Sequence, residues 1–180
     1  GYSRETISLG RAFFSSFVAR GWWGPDLAMS LEDYRNTAGM WVIGEDMPQE
    51  GNRITLNTSV TDAHGLPVAD VHFDDHPNDI AMREHGKAAG AAVYEAVGAK
   101  RIIQTPPYPS THNLGTSRMS ERPEDGVVDR FGRAHDVPNL FVSDGSQFTT
   151  GAGANPTLTI VALAIRQAEY IAGEYRASVA

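Results

Sequence analysis

The strongest alternation of apolar and polar positions lies near the end of the chain. From Pro156 to about Gly173, Leu158, Val161, Ala162, Ile165, Ala168 and Ala172 recur at three- and four-residue steps, with Arg166, Gln167, Glu169 and Glu174 on the other side. That spacing predicts a helix with one face in the core. Asn155 before Pro156 is a start signal: Asn caps free amides, and Pro loses nothing at the first helical position. The preceding TTGAGA, residues 149–154, has almost no side-chain bulk, so its amides can approach a flat or phosphorylated ligand. The apolar run Leu140, Phe141, Val142, closed by Ser143, Asp144 and Gly145, predicts a short buried strand with Asp144 at its end. Together these form the outline of a ligand-binding turn. Its helix start, with partial positive charge and unpaired N–H groups, favours a group that becomes anionic.

Elsewhere the pattern predicts a helix over 4–20, through Ile7, Leu9, Phe13, Phe14, Phe17 and Val18, ended by Gly21 and a Trp-Trp-Gly-Pro turn. Strand-like pieces at 41–43, 53–57 and 68–73 predict an antiparallel sheet with tight turns. Asn78 and Asp79 are set to cap a second helix that runs to a stop at Gly98. Ile102 and Ile103 suggest a short strand, and Pro106, Pro107 and Pro109 hold the following segment extended as it reaches His112. Residues 127–141 read as two or three short strands turning at Gly132. A boundary near 104–110 fits this layout.

Composition narrows the picture. A chain of 180 residues at 41% hydrophobic content can bury a core and suggests one domain or parts of two. A net charge of -7 without a charged block argues against nucleic acid or an anionic membrane as main partner. No cysteine is present, which excludes disulfides, thiolate metal sites and cysteine nucleophiles. No apolar run reaches bilayer length and no signal peptide is evident, so a soluble protein is expected, cytoplasmic or periplasmic. The start at Gly1 rather than Met favours the later part of a longer polypeptide. His72, His76, Asp74 and Asp75 resemble metal ligands in type, but a strand-to-loop segment does not make them converge, so surface histidines and no metal are expected. Trp22, Trp23 and Trp41 suit either core packing or stacking on a sugar.

His112 is the candidate base, because imidazole titrates near neutral pH and takes a proton at little cost. Its setting, HNLGTSRM at 112–119, and the Asn155-Pro156-Thr157 segment resemble the two C-terminal signatures of the glucose-methanol-choline (GMC) family of FAD-dependent oxidoreductases. GEDMPQEGNRITLN and DAHGLPVADVHF resemble, less specifically, that family's substrate-side sheet. The resemblance covers about residues 40–175 and is greatest to sugar-oxidising branches, including gluconate, fructose and pyranose enzymes. It implies an α/β fold, α+β overall: part of an antiparallel substrate-domain sheet, with the closing strand and helix of a Rossmann-like FAD domain. Residues 1–108 would belong to the substrate-binding (cap) domain, and 109–180 would hold the catalytic motif and the end of the FAD domain. It further implies His112 as base, Asn155 as the group holding the substrate oxygen, Asp144 and Gly145 near the ribityl and phosphate portion of FAD, and Asn155, Pro156 and Thr157 near the ring.

The family's N-terminal GxGxxG fingerprint is absent, and GAGANP at 151–156 matches only its first two glycines. An N-terminal FAD-binding segment or chain is therefore an expected partner, beside a sugar or alcohol substrate; the electron acceptor, and hence oxidase against dehydrogenase, stays open. Two rival readings stand beside this one. A serine hydrolase would use Ser146 or Ser143 with His112 and Asp144, although DGSQF is not a nucleophile elbow. A non-catalytic interaction subunit is the other.

Overall fold

The structure, a computed structural model, describes residues 1–7, 14, 21–107 and 111–179. It divides into two compact units, Gly1–Gly44 with Ala81–Pro109, and Glu45–Ile80 with Ser110–Ala180. Most of the helix expected over 4–20 lies outside the described residues, as does Pro109.

In the first unit, β1 (Tyr2–Ile7) pairs antiparallel with β2 (Gly39–Gly44), Tyr2 opposite Gly44 and Ile7 opposite Gly39. Residues 4–7 are thus extended, not helical. The Trp-Trp-Gly-Pro stretch, expected as a turn, opens a helix, α1 (Gly24–Glu32). Pro25 suits that entry because its missing N–H has no partner in a first turn anyway. Helix α2 (Pro77–Ala96) crosses from one unit to the other. Two of its neighbourhood's glycines are spacers: a Cβ on Gly86 would lie 2.5 Å from Val42 Cγ1, and one on Gly44 would lie 2.2 Å from Met82 Cε. The cost of glycine in a helix interior is offset by the close approach of α2 to β2.

Helix α2 starts earlier than Asn78. The His76 carbonyl accepts the Asp79 and Ile80 amides at 2.8 and 3.2 Å, and its Nδ1 accepts the Asn78 amide at 3.1 Å. His76 is therefore the cap. Asp79, expected in that role, is 4% exposed, and its two oxygens accept the Met47 amide at 3.2 and 3.1 Å, tying the 45–48 segment to the helix start.

In the second unit β3 (Arg53–Thr61) and β4 (Pro67–His72) form an antiparallel hairpin. The three strands expected in one sheet are thus divided between two two-stranded sheets. One hairpin face is polar and paired, with Thr55 Oγ1 3.0 Å from His72 Nε2 and Asn57 donating to Asp70 at 3.0 Å. Ile54 and Val71 face each other in register, as do Leu56 and Ala69, and Ile54, Leu56 and Val71 are exposed. Ile102 and Ile103 form no strand.

Residues 119–141 are held by single bridges, Met119 with Val128, Val128 with Ala134 and Arg133 with Phe141, around a fully buried Val128. The strand expected at 140–142 reduces to the Phe141 bridge, and Leu140 is half exposed. The pairings among named strands are antiparallel, so the mixed α and β content agrees with expectation.

Helix α3 (Thr157–Val179) exists as expected but docks through the opposite face. Gln167, assigned to the solvent side, is 6% exposed, and its Nε2 donates to the Phe131 and Val142 carbonyls at 2.9 and 2.7 Å. Tyr170 stacks on Phe131 with ring centroids 4.1 Å apart and planes 5° from parallel. Arg166 bonds to the Arg130 carbonyl beside them. Leu158, Val161 and Ile165, the expected core face, are exposed, Leu158 at 84%. The reason is donor supply. A strand would have spent these carbonyls on a ladder, whereas an irregular loop presents them to the helix, and buried carbonyls require a donor.

Gly132 makes this docking possible. Its φ is +72°, and a Cβ there would lie 2.3 Å from Gln167 Nε2 and 2.6 Å from the Val142 carbonyl oxygen. Gly132→Ala should therefore lower unfolding stability by about 2–3 kcal/mol, from the left-handed backbone and the displaced Gln167 together. Chemical denaturation checks this; a loss below about 0.5 kcal/mol would contradict the crowding described.

Candidate active site

The two sequence motifs meet in the second unit. The Ser117 amide donates to the Ser146 carbonyl at 2.9 Å and the Met119 amide to the Gln147 carbonyl at 2.8 Å, so the 112–119 segment lies along the turn at 145–147. Gly145 is buried where they cross: a Cβ on it would lie 2.7 Å from Leu114 Cδ2 and 3.4 Å from Ile160 Cδ1. The first turn of α3 and the 112–119 segment thus approach each other across a residue with no side chain.

Beside this crossing lies a cavity of about 190 Å³ lined by Leu114, Phe148, Thr150, Gly151, Ala152, Ala154, Asn155, Pro156 and Thr159. Asn155 is exposed, and among the described residues its carboxamide makes no hydrogen bond. It does not cap α3. The helix begins at Thr157, and the Pro156 carbonyl accepts the Ile160 amide at 3.0 Å, which gives Pro156 the cap position. The competition between capping and substrate contact is thereby removed. His112, half-buried, precedes Leu114 by two residues and is not itself part of the cavity wall.

Asp144 has a structural duty. It precedes a 3-10 turn, Gly145–Gln147, and its Oδ1 accepts the Ser146 amide at 2.8 Å. Hydrogen bonds from the Ser146 side chain and then its amide hold the Asp144 carboxyl below the ordinary aspartate value, against a smaller opposing effect of burial. Asp144 and Ser146 therefore serve each other in a turn, which leaves the serine-hydrolase constellation without a distinct orienting acid. Of the other expected residues, Pro156 lines the cavity, while Asp144, Gly145 and Thr157 do not.

Leu114, Phe148 and Thr159 join the wall without having been singled out in the sequence. A signal for Thr159 existed: it lies in the first turn after an Asn-Pro start and two positions beyond Thr157. Leu114 and Phe148 carry no comparable mark, since an apolar residue in a loop is as often packing as lining. Among the described residues no group of His, Asp and Glu is placed to hold a metal ion. His72 and His76 serve as a cross-strand partner and a helix cap. No described helix is long and apolar enough to cross a membrane.

The walls suit part of a flat ring. They are mostly small or apolar, with one open carboxamide and hydroxyls at Thr150 and Thr159, but 190 Å³ falls short of the roughly 300 Å³ at which small-molecule pockets begin.

Residues 48–164 match the family model for the GMC oxidoreductase C-terminal domain, and the chain belongs to that family. It is 37% identical over 180 residues to the 2-methyl-1,2-propanediol dehydrogenase of Mycolicibacterium austroafricanum, a match covering 94% of this chain and 33% of that protein. To the gluconate 2-dehydrogenase flavoprotein of Pantoea cypripedii it is 30% identical over 164 residues, covering 85% of this chain and 27% of the relative. The fructose dehydrogenase large subunit of Gluconobacter japonicus is 32% identical over 140 residues, 73% of this chain and 24% of that subunit. The chain thus spans about a third or less of the length of these relatives.

The Asp144 bond sets a pH signature. Because its folded-state pKa is depressed, the contribution is complete above the unfolded value of about 3.9 and is lost as pH falls through the folded value. Asp144→Ala should lower the Tm at neutral pH, with a gap to wild type that stays constant down to about pH 5 and closes below about pH 4. A gap that persists unchanged at about pH 3 would show that the carboxylate is not the source.

Proposed function

We propose that this chain is the C-terminal portion of an FAD-dependent oxidoreductase that oxidises a hydroxyl of a small polyol or sugar. The single observation that carries the reading is the convergence, at Gly145, of the 112–119 segment and the start of α3 beside a cavity that holds an unbonded Asn155 carboxamide. The named relatives, a diol dehydrogenase, a gluconate dehydrogenase flavoprotein and a fructose dehydrogenase, support the substrate class.

In this reading a bound FAD supplies the acceptor for the hydride that leaves the alcohol carbon. His112 takes the hydroxyl proton on one imidazole nitrogen, a task that needs only one of its two ring nitrogens. Asn155 donates its amide N–H to the substrate oxygen and cannot act as base, so proton removal rests on His112 alone. Leu114 and Phe148 keep water from one side of the cavity, and Pro156 lines it as well; Pro156 and Thr157 would be the residues that hold the ring. The start of α3 favours negative charge developing close to it, through unpaired amides and the helix dipole. Asp144 and Gly145 would be the residues that hold the ribityl and phosphate portion, with Asp144 also serving its turn.

The remaining walls come from an N-terminal FAD-binding segment or chain. The exposed apolar stripe of α3, Leu158, Val161 and Ile165, is surface that such a portion would cover. Residues 1–108 belong, on this reading, with the substrate-binding domain and 109–180 with the catalytic motif and the end of the FAD domain.

The test is anaerobic titration of the purified flavin-loaded protein with diols, polyols and sugars. Bleaching of the flavin absorption is the expected result. His112→Ala should retain flavin yet reduce it about a hundredfold or more slowly, the scale for loss of a general base. A wild-type reduction rate in that variant would remove His112 from the reaction, and absence of bleaching with every alcohol would remove the reaction itself.

A further inference from the structure

Gln167 lies ten residues beyond Thr157, about 15 Å along the helix from its start. It nevertheless ties α3 to two separate parts of the loop, beside the Arg166 bond to the Arg130 carbonyl. One nitrogen, Nε2, donates to two carbonyls from different parts of the loop, Phe131 at 2.9 Å and Val142 at 2.7 Å. A primary amide has two such protons, so both are used. Two directional bonds to separated acceptors leave the helix little freedom to slide or turn, because hydrogen bonds weaken steeply with misalignment. The neighbouring Phe131 and Tyr170 rings, stacked 5° from parallel, add attraction but tolerate sliding within the stack.

The anchor also reaches the other motif. A Cβ on Gly132 would lie 2.3 Å from Gln167 Nε2 and 3.1 Å from Gln147 Oε1, so the two buried glutamines converge on one glycine. The Gln147 carbonyl in turn accepts the Met119 amide at 2.8 Å. The 112–119 segment and α3 are therefore both referenced to the same few atoms.

We propose that Gln167 is a positioning residue: by gripping the Phe131 and Val142 carbonyls it sets the first turn of α3, and with it Asn155, against the 112–119 segment. The claim about placement stands on the geometry; its consequence for turnover rests on the proposed oxidation. A shift of about an ångström in a substrate-holding group costs up to a hundredfold in rate, so the consequence is measurable.

The test compares Gln167→Met, which keeps bulk and removes both donors, with Tyr170→Leu, which weakens docking without touching them. Both are made in the full protein that carries this chain, with its native cofactor content. Hydrogen exchange over a peptide covering 155–164 is the first readout. Gln167→Met should speed exchange there by about tenfold or more relative to Tyr170→Leu, even at equal loss of Tm. The second readout is steady-state kinetics, where Gln167→Met should lower kcat by about tenfold or more while KM changes less than about threefold. Equal exchange at the helix start in both variants would overturn the proposal. Should Gln167→Met not fold, Gln167→Glu, of the same shape but unable when ionised to donate, carries the same comparison. If the wild type oxidises no alcohol, the functional reading fails while the exchange readout still decides the placement.

Discussion

The second unit depends on one requirement, that part-buried carbonyls in an irregular loop find donors. Residues 130–142 pair with one another only through single bridges and turns, which leaves the Arg130, Phe131 and Val142 carbonyls to the helix beside them. A helix presents no spare N–H groups along its length, and only a side chain can answer. Gln167 does so for two carbonyls at once, and Gly132 makes room by having no side chain. Each such bond contributes only about 1 kcal/mol net, but leaving both carbonyls buried and unpaired costs about 1–3 kcal/mol each. The side of α3 that carries Gln167 and Tyr170 therefore turns inward, while Arg166, Glu169 and Glu174 stay exposed.

That inversion shows where reading a sequence succeeds and where it does not. The existence of α3 and the hairpin strands follow from periodicity and turn residues, which act locally. Which face of α3 packs depends on what lies opposite, and that is a property of residues 25 to 36 positions away. The same limit explains Asp79: as an acidic residue near a helix start it signals a cap, yet the Met47 amide, 32 positions upstream, claims it while His76 caps instead. The strand expected at 140–142 carries the right apolar letters, but a strand requires a partner, and here Arg133 meets Phe141 at a single bridge.

Of the six residues expected at the site, two, Asn155 and Pro156, line the cavity. Asn155 and Pro156 were identifiable because a small-residue loop running into a helix start is a local pattern with a chemical meaning. Gly145 is marked by its place in the turn, and the structure adds the reason: Leu114 and Ile160, 46 positions apart, approach each other across it. The apolar wall residues were not marked, since Leu114 and Phe148 acquire their role only through the crossing. The chain spans a third or less of the length of these relatives.

The hairpin of β3 and β4 carries the same message in a different currency. Its register places Ile54 opposite Val71 on a face that is open to water, with Leu56 beside them and Phe73 just beyond β4, and neither strand has a second neighbour in its sheet. A ribbon with two free margins and a greasy side is a template for edge-to-edge growth, since any extended chain can add to it and bury the side chains at once. Produced by itself, this segment is therefore prone to self-association, and a lysine at Leu56 or Val71 would add a charge that interrupts the growing stack without disturbing the Thr55–His72 and Asn57–Asp70 pairs on the reverse side.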